Sequence, residues 1–181
     1  MKLKNIIKHF NLINKHRFLV FKLCVKAGIP FRGLVHDLSK YSPTEFFESV
    51  KYYNGSKSPI TFCKKENGCS KAWLHHKGRN KHHFEYWIDF MAPEPMPVIP
   101  YKYTVEMICD TLAAGMTYKK KDWYPGYQLE YFNGRKDKEF INDKIVKVLE
   151  ETYKQVADNG IDKTITKQNL KSIYNKHVNK N

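Results

Sequence analysis

The chain has 181 residues, of which 41% are hydrophobic and 28% are charged, and its formal net charge is +14. These values are typical of one globular domain and exclude a chain that is disordered throughout. No apolar run approaches the roughly 20 residues of a membrane-spanning helix, and polar residues interrupt every candidate signal peptide. We therefore expect a single cytoplasmic domain over residues 1–181, with a core of about residues 3–131 and C-terminal helices at residues 137–178 that pack on it.

The first predicted element is a helix over residues 3–27, where apolar side chains recur every three or four positions. Gly28 is its predicted end. His16 lies between the apolar positions Ile13 and Leu19 of this helix, so we expect its imidazole to face inward.

Two helices are predicted next. A short one covers residues 31–40, and a second begins where Ser42, Pro43 and Glu45 supply a cap, a first-turn proline and a capping-box glutamate that reaches back to the cap. The second helix should end near Tyr53, and a polar loop should follow over residues 56–68.

The rest of the chain also has helical spacing. Residues 70–91 predict one long helix, or two pieces around Gly78, and the proline-rich residues 92–100 predict a stiff, non-helical crossing. A helix over residues 103–119 contains Asp110, and an aromatic turn follows at residues 123–127. Amphipathic helices over residues 137–157 and 166–178 complete an all-α fold, for which we expect a compact helical bundle.

The most specific feature is the adjacent pair His36 and Asp37, with His16 before it and Asp110 well after it. This order resembles the HD-domain superfamily of metal-dependent phosphohydrolases. The resemblance implies an HD-like bundle in which these four side chains converge on one divalent metal. Imidazole nitrogens and carboxylate oxygens together suit Mn, Fe, Co, Ni or Zn.

Two further histidine pairs, seven residues apart, lie between this motif and Asp110. Like members of the pairs would share a helix face if the helix continued past Gly78. Some HD-type proteins use additional histidines for a second metal, which the aspartate of the pair bridges. The resemblance thus implies one or two ions and a bridging Asp37, and leaves open which histidines are ligands. The candidates are His75, His76, His82 and His83.

Basic and amide side chains near these ligands are candidate phosphate contacts and catalytic groups. Lys40 lies one helical turn beyond His36, where HD-type sequences often have a lysine. Lys77, Arg79 and Asn80 lie between the two histidine pairs, and a guanidinium suits two-pronged contacts with phosphate. Each of them is equally typical of an ordinary solvated surface.

Cys63 and Cys69, followed by His75 and His76, permit a structural zinc site, although their spacing is wider than in the usual close pair. The four cysteines of the chain are too few for a dense disulfide framework, so we expect reduced thiols.

The leading hypothesis is a metal-dependent phosphohydrolase whose substrate is a nucleotide or another phosphorylated small molecule. The positive charge also permits a nucleic-acid or nucleotide-binding module with a structural or vestigial metal, and the same scaffold supports di-iron oxygenase chemistry. Residues 15–131 further resemble a family of small bacterial and phage proteins without an assigned function. The oligomeric state stays open.

Overall fold

The computed structural model describes residues 3–55, 57–136 and 139–179. All regular structure in these ranges is helical, which confirms the all-α class. Short 3₁₀ helices lie between the α-helices at Leu38–Tyr41, Phe84–Trp87 and Lys120–Asp122. The α-helices are α1 (Leu3–Lys26), α2 (Pro30–Val35), α3 (Pro43–Lys51), α4 (Pro59–Asn67), α5 (Lys71–Lys77), α6 (Tyr101–Lys119), α7 (Tyr127–Asn133), α8 (Asp143–Asn159), α9 (Ile161–Thr164) and α10 (Lys167–Val178).

Helices α1 and α6 form the centre of the fold. They pack against each other, α2 packs on both of them, and α10 packs on α6 and α8. The apolar core lies among these helices, where Val20, Ile108, Leu112 and Ile145 are completely buried. Burying such side chains stabilises the fold by about 1.5–3 kcal/mol each. The same helices therefore form a rigid frame for any polar side chains that they carry.

The proline-rich crossing at residues 92–100 is non-helical, as predicted. Its last apolar residue, Ile99, is buried, and the Ile99 carbonyl accepts hydrogen bonds from Tyr174 Oη at 2.8 Å and Thr104 Oγ1 at 3.0 Å. The crossing is thereby fixed between α6 and α10.

Several predicted boundaries are wrong. The predicted loop at residues 56–68 contains α4, which begins at Pro59 and buries only Pro59 and Cys63, so it has little apolar periodicity to detect. The position of Ser56 lies outside the described residues. Helix α7 follows the aromatic turn and was not predicted. The predicted start at residue 137 also falls outside the described residues, and α8 begins at Asp143.

Of the two alternatives for residues 70–91, the single long helix is wrong, because α5 ends at Lys77. The two-piece alternative is closer, since the short 3₁₀ helix Phe84–Trp87 follows after Gly78. Among the described helices, none is long and apolar enough to cross a membrane.

Candidate metal centre

The packing of α1 on α6 brings two of the candidate ligands together. His16 lies on the buried face of α1, as the periodicity predicts, and Asp110 lies on α6. His16 Nε2 is 2.9 Å from Asp110 Oδ1. This part of the centre is therefore built from regular helices.

His36 and Asp37 do not lie within the predicted helix over residues 31–40. They lie where the helical structure is interrupted, between α2 and the 3₁₀ helix Leu38–Tyr41, and we call this interruption the break. Helix α2 ends at Val35, and Asp37 has φ 54° and ψ 27°, in the left-handed region. The break is stabilised by Arg17 of α1, whose guanidinium donates to the carbonyls of Leu34 at 2.9 Å and His36 at 2.8 Å. Carbonyls at a helix end need such partners. The break turns the Asp37 carboxylate into the interior, where it is 1% exposed.

The two oxygens of Asp37 face different histidines. Oδ2 is 3.2 Å from His36 Nε2 and 3.9 Å from His16 Nε2. Oδ1 is 3.3 Å from His76 Nε2 and 3.4 Å from His82 Nε2. One carboxylate thus joins two groups of potential ligands.

Each of these groups has four ligand atoms that lie within 4.8 Å of one another. We call them the first set and the second set. The first set is His16, His36, Asp37 and Asp110, and the second set is Asp37, His76, His82 and His83.

His75, the remaining candidate histidine, belongs to neither set. Its Nδ1 lies 2.6 Å from Glu45 Oε1, and His76 Nδ1 lies 2.7 Å from the other oxygen of the same carboxylate. These contacts also bear on the predicted capping box, of which the Ser42 cap forms and the return contact from the Glu45 side chain does not. Ser42 Oγ does accept a hydrogen bond from Glu45 N at 3.4 Å, but the Glu45 carboxylate turns toward these histidines instead of the cap.

A turn after α5 brings His82 and His83 back to His76. Asn80 fixes this turn, since its Nδ2 donates to the His76 carbonyl at 2.8 Å and to Ser39 Oγ at 2.8 Å. The helix does not continue past Gly78, so the two histidine pairs do not share a helix face, and the histidines of the second set meet through the turn. Asn80, a candidate catalytic group in the sequence, is therefore hydrogen-bonded to other protein groups in this structure.

Of the basic side chains proposed as phosphate contacts, only Lys40 lies at the centre, and Arg79 and Lys77 lie outside it. Lys40 Nζ is 2.6 Å from Asp37 Oδ2, within the centre. Arg79 is exposed and donates to the His75 carbonyl at 3.4 Å, and Lys77 interacts electrostatically with Lys64 and Glu85. Arg79 and Lys77 are outside both ligand sets.

The sequence interpretation missed a buried carboxylate on α6. Glu106 is 0% exposed and lies one helical turn before Asp110. Its Oε1 is 3.0 Å from His36 Nδ1 and 3.2 Å from His82 Nδ1, and Arg32 Nε donates to its Oε2 at 2.7 Å. An acidic residue four positions before a candidate ligand, in a mostly apolar helix, was the signal that could have identified it.

Glu106 also forms a third group with His36 and His82, through the outer nitrogens of these histidines. The Arg32 guanidinium is in direct contact with this carboxylate, through both Nε and an amino nitrogen. Because His36 and His82 turn their Nε2 atoms toward Asp37 and only their Nδ1 atoms toward Glu106, we interpret Glu106 as an outer partner of the histidines rather than as a metal ligand.

The ionisation of the centre suits a cation. Burial alone would raise the pKa of the Asp37 and Asp110 carboxyls, but the neighbouring histidines and, for Asp37, Lys40 hold both pKa values well below their usual range. Burial lowers the pKa of His16 and His83, which favours their neutral, ligand-competent forms. Burial would also lower the pKa of His36, yet Asp37, Asp110 and Glu106 outweigh it and raise that pKa. These carboxylates therefore favour positive charge at the centre.

The histidines and Asp37 also pass a test of fit for a metal ion. Buried polar atoms normally have hydrogen-bond partners, and atoms that lack them need an explanation. The atoms without a partner of regular geometry include both Asp37 oxygens and the Nε2 atoms of His16, His36, His82 and His83. These orphaned atoms belong to the two ligand sets, so one or two coordinated cations would satisfy them together.

The cysteines contribute nothing to these groups. Cys63 Sγ donates to the Cys69 carbonyl at 3.5 Å, and both thiols are free. Neither belongs to any of the potential metal groups found among the described residues.

Comparison with known proteins identifies the chain at the level of a family. Residues 5–155 match the family of unknown function DUF5662, and the chain belongs to that family. The match covers both ligand sets, Lys40 and Glu106, and it ends within α8. No curated protein and no solved structure shows significant similarity to the chain.

Proposed function

We propose that the chain is an HD-type phosphohydrolase that depends on divalent metal ions and acts on a nucleotide or another small phosphate ester. The observation that carries the proposal is the division of the Asp37 carboxylate between the two ligand sets, one oxygen to each. A shared carboxylate suits a bridge between two cations, and two-metal centres are common in phosphate-ester hydrolysis. The proposed ions are drawn from Mn, Fe, Co, Ni and Zn, since the donors are imidazoles and carboxylates.

When bound, such ions would supply Lewis-acid activation of a phosphoryl oxygen and of water. The residues of the chain do the rest. The helices α1 and α6 hold His16 and Asp110 in place, and the buried position of the histidines limits solvent access. Pre-organised donors of this kind avoid the reorganisation that a mobile site would need.

Lys40 is the cationic side chain best placed to meet a phosphate. Its Nζ contacts Asp37, yet the side chain is 29% exposed, and that of Asp110 is 19% exposed. The centre is therefore open to solvent near these two residues. An ammonium at this opening would attract a phosphate oxygen and orient the ester toward the ligand sets.

The same donors support a second chemistry. Imidazole and carboxylate ligands also bind iron in oxygenases, so a di-iron oxygenase is the alternative within the same centre. The positive charge of the chain likewise suits a nucleic-acid or nucleotide-binding module with a structural or vestigial metal. A single set of measurements separates the three functions.

The test begins with the metal content of the purified chain, followed by reloading of the metal-free protein with each of Mn, Fe, Co, Ni and Zn. Phosphate release is then measured on a panel of nucleoside mono-, di- and triphosphates and p-nitrophenyl phosphate, with Lys40→Met beside the unchanged chain. We expect metal-dependent release, and at least a tenfold loss in kcat/KM for Lys40→Met, because about 1.4 kcal/mol of transition-state stabilisation corresponds to a factor of ten.

Stoichiometric metal without phosphate release from any ester would refute the proposal. Iron-dependent oxygen consumption would then favour the oxygenase. Tight binding of DNA or RNA by the metal-free chain, with no release, would favour the binding module.

A further inference from the structure

Glu106 lies behind both ligand sets, on the side of the histidine rings that faces away from Asp37. His36 Nε2 contacts Asp37 while its Nδ1 lies 3.0 Å from Glu106 Oε1, and His82 is arranged in the same sense, with its Nδ1 3.2 Å from that oxygen. The His82 contact is close but is not aligned as a regular hydrogen bond. One oxygen atom therefore touches a histidine of the first set and a histidine of the second set.

The other oxygen of Glu106 is held firmly. Arg32 Nε donates to Oε2 at 2.7 Å, and a second guanidinium nitrogen lies 2.7 Å from the same atom. The Arg32 guanidinium also lies over the Tyr103 ring, 5.0 Å from its centroid. Because the carboxylate is completely buried and held by Arg32, Oε1 has a fixed position between the two histidines.

Glu45 provides a natural comparison. It contacts Nδ1 of His76, which belongs to the second set, and Nδ1 of His75, which belongs to neither set. Both glutamates contact Nδ1 atoms of histidines, but Glu45 contacts a histidine of only one ligand set. The two carboxylates thus differ in how many sets they serve.

The contact matters because a histidine can bind a metal only in the correct tautomer and orientation. A carboxylate at Nδ1 keeps the proton on that nitrogen, which leaves the lone pair of Nε2 directed at the metal and raises its basicity. Loss of such an outer partner typically lowers metal affinity by about 10–100-fold.

We propose that Glu106 is a positioning residue common to both metal sets and that it couples their assembly. This inference rests on the two-metal centre of the proposed function. It predicts that a change at Glu106 weakens two sites at once, although the side chain belongs to neither ligand set.

The experiment measures Co²⁺ affinity by visible absorption in backgrounds that keep one set each. His16→Ala removes a ligand of the first set only, and His76→Ala removes a ligand of the second set only. Glu106→Gln should lower the remaining affinity about 10–100-fold in both backgrounds. Glu45→Gln, the matched control, should do so only in the His16→Ala background.

A spectroscopic readout shows whether the effect acts through the histidines. The ¹⁵N chemical shifts of the imidazoles in the otherwise unchanged, zinc-loaded chain should show Nδ1–H tautomers for both His36 and His82, and Glu106→Gln should perturb both of them. Glu45→Gln should perturb His76 and leave His36 unchanged. A general loss of packing would not give this selective pattern.

Circular dichroism checks that each variant is folded. If Glu106→Gln is not folded, Glu106→Asp is used, because it keeps the charge beside Arg32 while its shorter side chain withdraws from the histidines. The inference is refuted if the folded variant keeps normal Co²⁺ affinity in either background. If instead the unchanged chain binds fewer than two ions, the two-metal centre itself is refuted, and the inference falls with it.

Discussion

The two ligand sets are carried by different kinds of backbone. His16 and Asp110 lie on α1 and α6, helices of 24 and 19 residues that both contribute side chains to the apolar core, α1 through its C-terminal part. His76 lies in the last turn of α5, a helix of 7 residues, and His82 and His83 lie in the turn that follows. Two ligands of the first set therefore depend on long helices of the fold, whereas the three histidines of the second set depend on a local segment.

A helix as short as α5 is not stable alone in water. Polar contacts from α3 stabilise its start: Ser70 Oγ and the backbone N–H of Ala72 both donate to Glu48 Oε1. Ser70 also caps the helix by accepting from Trp73 N at 3.0 Å. Packing of α1 on α6 thus positions His16 and Asp110, whereas side-chain hydrogen bonds position the helix that carries His76.

The largest expected effect separates the shared ligand from an unshared one. Asp37→Asn should remove both ions, because Asp37 belongs to both sets, while Asp110→Asn should remove only the ion of the first set. Asparagine is suitable at residue 37 because it tolerates the left-handed backbone found there. Metal analysis of the purified variants checks the difference. Retention of one ion in Asp37→Asn would show that this carboxylate is not a bridge.

A smaller effect distinguishes the neighbouring histidines of α5. His76→Ala should lose the ion of the second set and keep that of the first, whereas His75→Ala should keep both. His75 contacts Glu45 but none of the carboxylates of the ligand sets, so it is a matched control with the same chemistry in the next position. Equal metal loss in the two variants would mean that α5 is rotated relative to the arrangement described above.

The smallest expected effect concerns the cap of α3, the helix that carries Glu45. Ser42→Ala removes the acceptor for Glu45 N and should lower the free energy of unfolding by about 1 kcal/mol. Ser42→Thr, which can still cap, should lower it less. Chemical denaturation measures both. Metal content should be unchanged in Ser42→Ala, and a loss of metal would show that the second set depends on this helix end.

The resemblance to HD-type proteins grouped the four residues of the first set in advance and left the members of the second set open. Apolar periodicity identifies the inward face of a long helix, so it indicated that His16 faces inward. It could not separate His76 from His75, because that choice depends on how α5 is rotated and where it ends. Glu106 was missed because its role comes from contacts with His36 and His82, which are distant in the chain.

The left-handed backbone of Asp37, with φ 54° and ψ 27°, has a consequence for evolution. This conformation costs most side chains about 1–2 kcal/mol, and glycine adopts it without that cost. Selection for folding stability alone would therefore favour glycine at residue 37. In the proposed function, aspartate gives up part of that stability for a carboxylate that can bind metal. If the proposed metal centre is correct, DUF5662 proteins with glycine at the position aligned with Asp37 should keep the fold and bind no metal.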